Sequence, residues 1–254
     1  MNSKSKISLF FINLYLVFKF IGRFFKEAFL PPYEFKEITK QCYNIGYKSL
    51  AIITLTGFIT GIVFTKQSRP SLSDFGATSW LPSLIAIAVI RALAPLVTAL
   101  IMAGKIGSGI GAELGSMSVT EQIDAMEVSG TNPFKFLVVT RVIATSLMIP
   151  LLTIYSAFVG LIGAYINIHQ NELTSYKAFI TQVFAKISFL DLFASLTKAL
   201  IYGFTIGIVG CYKGYQTQGG TVGVGKSANA AVVISMFLIF IEEMVIVQVT
   251  NYFR

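Results

Sequence analysis

Five stretches of this chain, at about 47–65, 80–103, 136–166, 188–212 and 228–250, are long and apolar enough to cross a bilayer, which takes roughly 20 residues. Backbone polar groups inside hydrocarbon must be satisfied within their own segment, so runs of this length are expected to be helices. The third run is long and contains Pro150, which predicts a kink or a tilt. Charge agrees with hydropathy: 13% of the 254 residues are charged, where a soluble domain of this size carries about 25%. A net charge of +8 would suit nucleic acid in a soluble protein. In a chain this apolar it fits the positive-inside rule and anionic headgroups instead. The expected class is an all-α integral membrane protein with no nucleic-acid partner.

The first apolar run, Ile7 to Phe18, follows the basic MNSKSK like a signal-peptide core, yet no small-x-small cleavage site comes after it. The chain continues KFIGRFFKEAF, in which Lys19, Arg23 and Lys26 recur at i, i+4 and i+7 while Phe20, Phe24 and Phe25 point elsewhere. That pattern predicts an amphipathic helix lying in the membrane interface. A sixth span is the competing reading, for which twelve apolar residues are short. Eight basic residues fall within 1–48 (Lys4, Lys6, Lys19, Arg23, Lys26, Lys36, Lys40 and Lys48) and put the N-terminus in the cytoplasm. Five crossings then leave 104–135 and 213–227 inside, and 66–79, 167–187 and the C-terminus outside, although Lys177 and Lys186 run against the charge rule there. The connections are short, so residues 1–254 are expected to form one domain, with an interfacial helix and connector over 1–46 and a membrane bundle over 47–250.

Candidate chemistry is sparse. Cys42 and Cys211 are isolated and suggest neither a disulfide nor a metal site. His169, the one histidine, has no partners that would make it catalytic. No catalytic set of carboxylates, histidine or serine comes together at one depth, which argues against a membrane enzyme. Gly57-x-x-x-Gly61 and Gly203-x-x-x-Gly207 are small-xxx-small patterns that let helix backbones approach in lipid. The segment GTVGVGKS, with Gly220, Gly225, Lys226 and Ser227, satisfies the phosphate-loop pattern G-x-x-x-x-G-K-[ST]. A working phosphate loop follows a buried strand in an α/β domain, with an acid on a neighbouring strand. Here the polar YQTQG precedes it and a membrane span follows, so the match is read as chance and Lys226 as an interfacial residue.

The most informative segment is GSGIGAELGSMSVTEQIDAMEVSGTNP, Gly107 to Pro133, long for a connection between two membrane helices. Ser118-x-x-Glu121 reads as a capping box opening a short helix over 118–129, and Gly130 and Pro133 as its stop. Val119, Ile123 and Met126 form an apolar stripe at i, i+4, i+7, and Glu121, Asp124 and Glu127 an acidic one. Two readings fit: a helix that docks in a partner's groove, its acids against basic residues, or a helix resting on headgroups. Acid beside anionic lipid favours docking.

At this point the sequence also resembles a known family. GAELGSMSVTEQIDAMEVSGTNPFKFLVVTRVIA is similar to the signature of the MlaE/YrbE-type permeases, membrane subunits of ABC transporters that move phospholipid or related lipids. The likeness extends over the interfacial helix, Arg91-Ala-Leu-Ala-Pro95 and Tyr215 to Ser227. It implies that 118–129 is the coupling helix seated in a cytoplasmic ATPase, with Glu121, Gln122, Asp124 and Glu127 as its polar contacts. It further implies a homodimer of permeases in the inner (plasma) membrane, two ATPase subunits holding ATP and Mg, an MCE-domain lipid-binding protein outside, and lipid held between protomers. This chain would then bind no cofactor itself. The family commonly has Arg at the position of Lys226, so one basic residue replaced by another produces the phosphate-loop letters. A secondary transporter is the alternative, but five spans do not divide into two repeats and no self-similarity is visible.

Arg91, Lys198, Glu242 and Glu243 fall within the expected spans, where an unpaired charge near the bilayer centre costs roughly 2.5–3.5 kcal/mol. Lys198 lies nearer a span end and has the option of snorkelling. The resembled family usually has an acid beside the arginine, where this chain has Ala92. Glu242 or Glu243 is therefore expected to supply the countercharge to Arg91 or Lys198. These residues either line the lipid path or only hold helices together, with structural pairing favoured.

Overall fold

The structure, a computed structural model, describes residues 3–172 and 174–252. Met1, Asn2, Leu173, Phe253 and Arg254, and the side chains of Lys4 and Lys6 counted above, lie outside the described residues. In chain order the helices are α1 (Ser3–Ala28), α2 (Phe35–Ile45), α3 (Leu50–Asp74), α4 (Leu81–Ala88), α5 (Ala94–Met102), α6 (Ser108–Val119), α7 (Gln122–Val128), α8 (Thr140–Glu172), α9 (Tyr176–Lys186), α10 (Phe189–Tyr215) and α11 (Gly220–Tyr252). Turns of π-helix at Val89–Leu93 and Ala103–Gly107 join α4 to α5 and α5 to α6, and a third, Phe134–Val139, leads into α8. There is no strand among the described residues. Among the described residues, five helical stretches are long and apolar enough to span a membrane: Phe35–Asp74, Thr78–Val119, Phe134–Glu172, Phe189–Tyr215 and Gly220–Tyr252. The protein is an all-α, multi-pass integral membrane protein, and α1 is not among those five spans.

The second span corrects the expected long loop. Helix continues through GSGIGAELG to Val119, so the connection shrinks to the turn at Thr120 and Glu121, the short α7, and residues 129–133. The reason is packing. Gly107, Gly111 and Gly115 recur every four residues and make a smooth face for α11. A Cβ on Gly111 would stand 3.2 Å from the Ala228 Cα, and one on Gly115 would stand 3.0 Å from the Ser227 Oγ. In water such a run of glycines weakens a helix; between membrane helices it permits close approach.

α8 is the central post. α3 packs along one side of it and α10 along another. The two small-residue patterns are used within the chain: Gly57 and Gly61 meet Ser156 and Gly160 of α8, and Gly203 and Gly207 meet Thr145 and Val142 of α8. α11 closes the bundle against α10 and α6. Pro150 lies inside α8 without interrupting it.

α1 is bound to the bundle at the end that carries α7. Phe24 is buried, and Phe20 stands edge-on to Phe134 and Tyr212 at 5.0 and 5.3 Å. Arg23, expected on a separate basic face, lays its guanidinium 4.3 Å over the Phe134 ring. Asn132 donates to Glu27 at 3.0 Å, and Lys135 donates to the Leu30 carbonyl. These ties fix α1 across the foot of α8.

Candidate functional site

The membrane charges converge on one face of α10. Asp191, Lys198, Tyr202 and Thr205 are separated by seven, four and three residues, the spacing of a single helical stripe. The stripe begins at a cap: the Ser188 hydroxyl and the Asp191 carboxylate satisfy each other's backbone N–H groups, and Ser188 N donates to Asp191 Oδ2 at 2.9 Å. So the capping box of this chain sits at Ser188–Asp191. Ser118, expected to open α7, lies in α6, and its hydroxyl donates to the carbonyl of Thr217 at 3.2 Å.

Arg91 reaches this stripe from the π turn between α4 and α5, a local widening common at functional positions. Its Nε lies 2.7 Å from Asp191 Oδ1, and Nη2 donates to Oδ2 at 2.9 Å. Lys198 donates to Glu243 Oε1 at 2.7 Å and to the Arg91 carbonyl at 3.3 Å. Tyr202 donates its hydroxyl to the other Glu243 oxygen. Thr205 donates to Glu242 Oε1 at 2.5 Å, while Glu242 Oε2 is buried without a hydrogen-bond partner among the described residues. The structure thus joins Lys198 to Glu243 as expected. It gives Arg91 a countercharge that was not foreseen, Asp191, whose sequence signal was the Ser188-x-x-Asp191 cap one heptad before Lys198.

Arg91, Asp191, Lys198 and Glu243 line a cleft of about 280 Å³ between α4, α10 and α11, with apolar walls from Ile87, Ala92 and Val247. Asp191 and Lys198 are 3% and 4% exposed, so both pairs have shed most of their water. Such pairs are held by mutual compensation, and loss of one member is far costlier than loss of both. A ligand that brings its own phosphate and hydrogen-bond donors offers each member a substitute partner.

A further buried cation escaped the sequence reading. Arg141, 3% exposed, pairs with Glu113 Oε1 at 2.9 Å and donates to the Leu137 carbonyl at 2.9 Å.

At the opposite end lies the acidic turn. α7 spans Gln122–Val128 and not 118–129, and Glu121 precedes it in the left-handed region at φ 58°. That conformation costs a non-glycine residue roughly 1–2 kcal/mol. Gly130, at φ 81°, ends the helix as expected, with its N–H and that of Thr131 returning to Glu127 and Met126 carbonyls. The stripe divides. Ile123 is buried and Met126 half-buried in one cluster with Leu114, Phe134 and Ile208, so they serve this chain's own core. Val119 is half-buried at the end of α6. Glu121, Gln122, Asp124 and Glu127 are all exposed, and Val128 among them is 90% exposed.

GTVGVGKS forms the opening turns of α11. Ser227 is buried against α6, donating to Gly111 O at 3.3 Å, and Lys226 is exposed.

The sequence model of a family described as Permease MlaE matches residues 38–249. A probable ABC transporter permease protein of Synechocystis is 37% identical over 95% of this chain and 92% of its own length. One from Rickettsia typhi is 34% identical over 93% of this chain and 91% of its own. One from Porphyra purpurea is 36% identical over 77% of this chain and 74% of its own.

Proposed function

The chain belongs to the MlaE permease family of ABC-transporter permeases, and on that premise we propose that it carries phospholipid, or a related lipid, through the membrane, driven by a separate ATPase subunit. The observation that carries this reading is the cleft between α4, α10 and α11, with two cations and two carboxylates in an apolar wall. A phosphodiester competes with Asp191 and Glu243 for Arg91 and Lys198, and the apolar walls suit the start of acyl chains. Two permeases set face to face enclose the open side of the cleft, and an MCE-domain protein outside receives or delivers the lipid. The N-terminus and α7 lie on the cytoplasmic side of the inner membrane, as the basic residues of 1–48 favour.

ATP and Mg are held by the partner ATPase, which supplies the energy of hydrolysis. This chain's part is mechanical. The exposed acids of α7 seat in the ATPase, and Ile123 and Met126 pass its movement to Phe134, Leu137 and Ile208 at the feet of α8 and α10. α10 carries Asp191 and Lys198, so a shift of its foot alters the cleft.

Charge reversal at both Glu121 and Asp124 is expected to strip the ATPase from the purified permease. A complex that survives intact removes α7 from the coupling role. Glu121→Gly is the cleaner variant. It relieves the left-handed strain, so melting of the permease in detergent stays level or rises by the equivalent of about 1 kcal/mol, while ATPase retention falls. Lys226→Ala is expected to leave ATP hydrolysis by the whole complex within about twofold of wild type, since Lys226 lies on a helix that no strand feeds. Loss of nucleotide binding in that variant would restore the phosphate-loop reading. Transport itself is tested by ATP-dependent transfer of fluorescent phospholipid from proteoliposomes holding the full complex; ATP hydrolysis without lipid movement would exclude lipid as cargo.

A further inference from the structure

We infer that the ends of α3 and α8 remote from α7 form a second phospholipid headgroup site, separate from the cleft at Arg91, in which Lys66 and Arg69 take the phosphate. Lys66, Arg69, Pro70, Ser73, Asn167 and Asn171 line a cleft of about 490 Å³ there, sharing no residue with the first. Arg69 is preset: its Nη1 donates to Asn171 Oδ1 at 2.7 Å, and its Nε lies 3.4 Å from Glu172 Oε1. Asn171 is held in turn, donating to the Asn167 carbonyl at 2.6 Å. Lys66 is exposed and has no hydrogen bond or ion pair among the described residues. Asn167 is 5% exposed, and its Oδ1 has no hydrogen-bond partner among the described residues. One fixed cation, one free cation and one unmet acceptor therefore share a polar recess, the cations suited to a phosphate and the acceptor to a headgroup hydroxyl or ammonium. Unmet polar groups of this kind are the exception in folded proteins and mark places that water or a ligand completes.

The surroundings select a lipid over a soluble anion. Counting back from Lys66 along the same face of α3, Val63, Ile59 and Leu55 are 43%, 48% and 60% exposed. They make an open apolar track leading from the cleft toward the middle of the span. A phosphodiester with acyl chains fits the cations and the track together, whereas free phosphate has no use for the track. In the orientation proposed above this is the outer end of the bundle. Positive charge there runs against the usual distribution, and a bound phosphate accounts for it. The site does not depend on the ATPase-driven reading of the first cleft.

The test is native mass spectrometry of the purified full-length permease in neutral detergent, titrated with dioctanoyl phosphatidylglycerol and, in a separate arm, inorganic phosphate. Wild type is expected to bind two lipids per chain saturably. Lys66→Gln and Arg69→Gln each weaken one of the two by about tenfold, the worth of one charge-assisted contact, and leave the other unchanged. Arg91→Gln weakens the other and spares this one. A wild type that binds one lipid, lost in Arg91→Gln and kept in Lys66→Gln, overturns the inference. So does inorganic phosphate that binds as tightly as the lipid and displaces it, which would make this a free-phosphate site.

Discussion

Lys198→Met is expected to destabilise the folded permease by about 3–5 kcal/mol, because it strands Glu243 as a desolvated carboxylate. Glu243 now takes a hydrogen bond from Lys198 at 2.7 Å and another from Tyr202. With the ammonium gone, one phenol hydroxyl is left to hold a full negative charge at membrane depth. Lys198 also donates to the Arg91 carbonyl at 3.3 Å, so its loss loosens the π turn that aims Arg91 at Asp191. Lys198→Met combined with Glu243→Met removes both charges and is expected to recover stability to within about 1–3 kcal/mol of wild type, since buried pairs gain little over apolar residues of similar volume and the remainder is the buried Tyr202 hydroxyl left without its acceptor. Thermal melting or denaturant titration in mixed micelles compares wild type with these two variants. Lipid transfer then separates two roles. A double variant that is stable and inactive assigns the pair to the lipid; one that is stable and active reduces it to a helix clamp. Glu243→Gln adds a milder arm: it keeps the Tyr202 hydrogen bond in place of a full charge, and wild-type assembly and transport in that variant would deny Glu243 any special part.

What could be read from the sequence follows from how each feature is encoded. The five spans, and a separate N-terminal helix that is not one of them, are written in hydropathy over long windows, a local signal, and were legible. That an acid of the last span would answer either Arg91 or Lys198 was legible too, because an unpaired charge at that depth is too costly to leave; which cation it meets was not. The partner of Arg91 was not legible. Asp191 sits a hundred residues away at a helix start, and its cap signal reads as a local device until the π turn brings Arg91 across. GSGIGAELG was read as part of a connection because the apolar run was taken to end near residue 103; against α11 the missing side chains are what permit the helix to continue in close contact. At α7 the existence of a short helix was legible and its start was not. Ser118 was preoccupied with the Thr217 carbonyl, leaving Glu121 to make the turn by its backbone alone.

Gly61→Val is expected to cost about 3 kcal/mol or more, beyond the ordinary range for overpacking, and to separate α3 from α8. An added Cβ at Gly61 would lie 1.9 Å from the Gly160 carbonyl oxygen, 2.8 Å from its carbon and 3.1 Å from its Cα. All three are backbone atoms, so no side chain can swing aside and the helices themselves must part. Gly57 and Gly163 repeat the constraint one turn to either side: Cβ atoms there would meet the Ser156 and Phe58 carbonyl oxygens at 3.0 and 2.5 Å. α3 and α8 are thus locked over several turns, and the lock sets the distance between Arg69 and Asn171 at their far end. Gly109→Ala and Gly225→Ala are the controls. Each lies inside a helix with nothing within 4 Å of the new methyl, so each is expected to stabilise by about 0.5–1 kcal/mol through the lower entropy of the unfolded chain. Melting in detergent ranks the three. If Gly61→Val melts with the controls, α3 and α8 are not in backbone contact, and the recess at Lys66 loses the frame that shapes it. If it melts far below them and also loses the lipid bound at Lys66 while keeping the lipid bound at Arg91, the helix pair is the element that presents the second headgroup site.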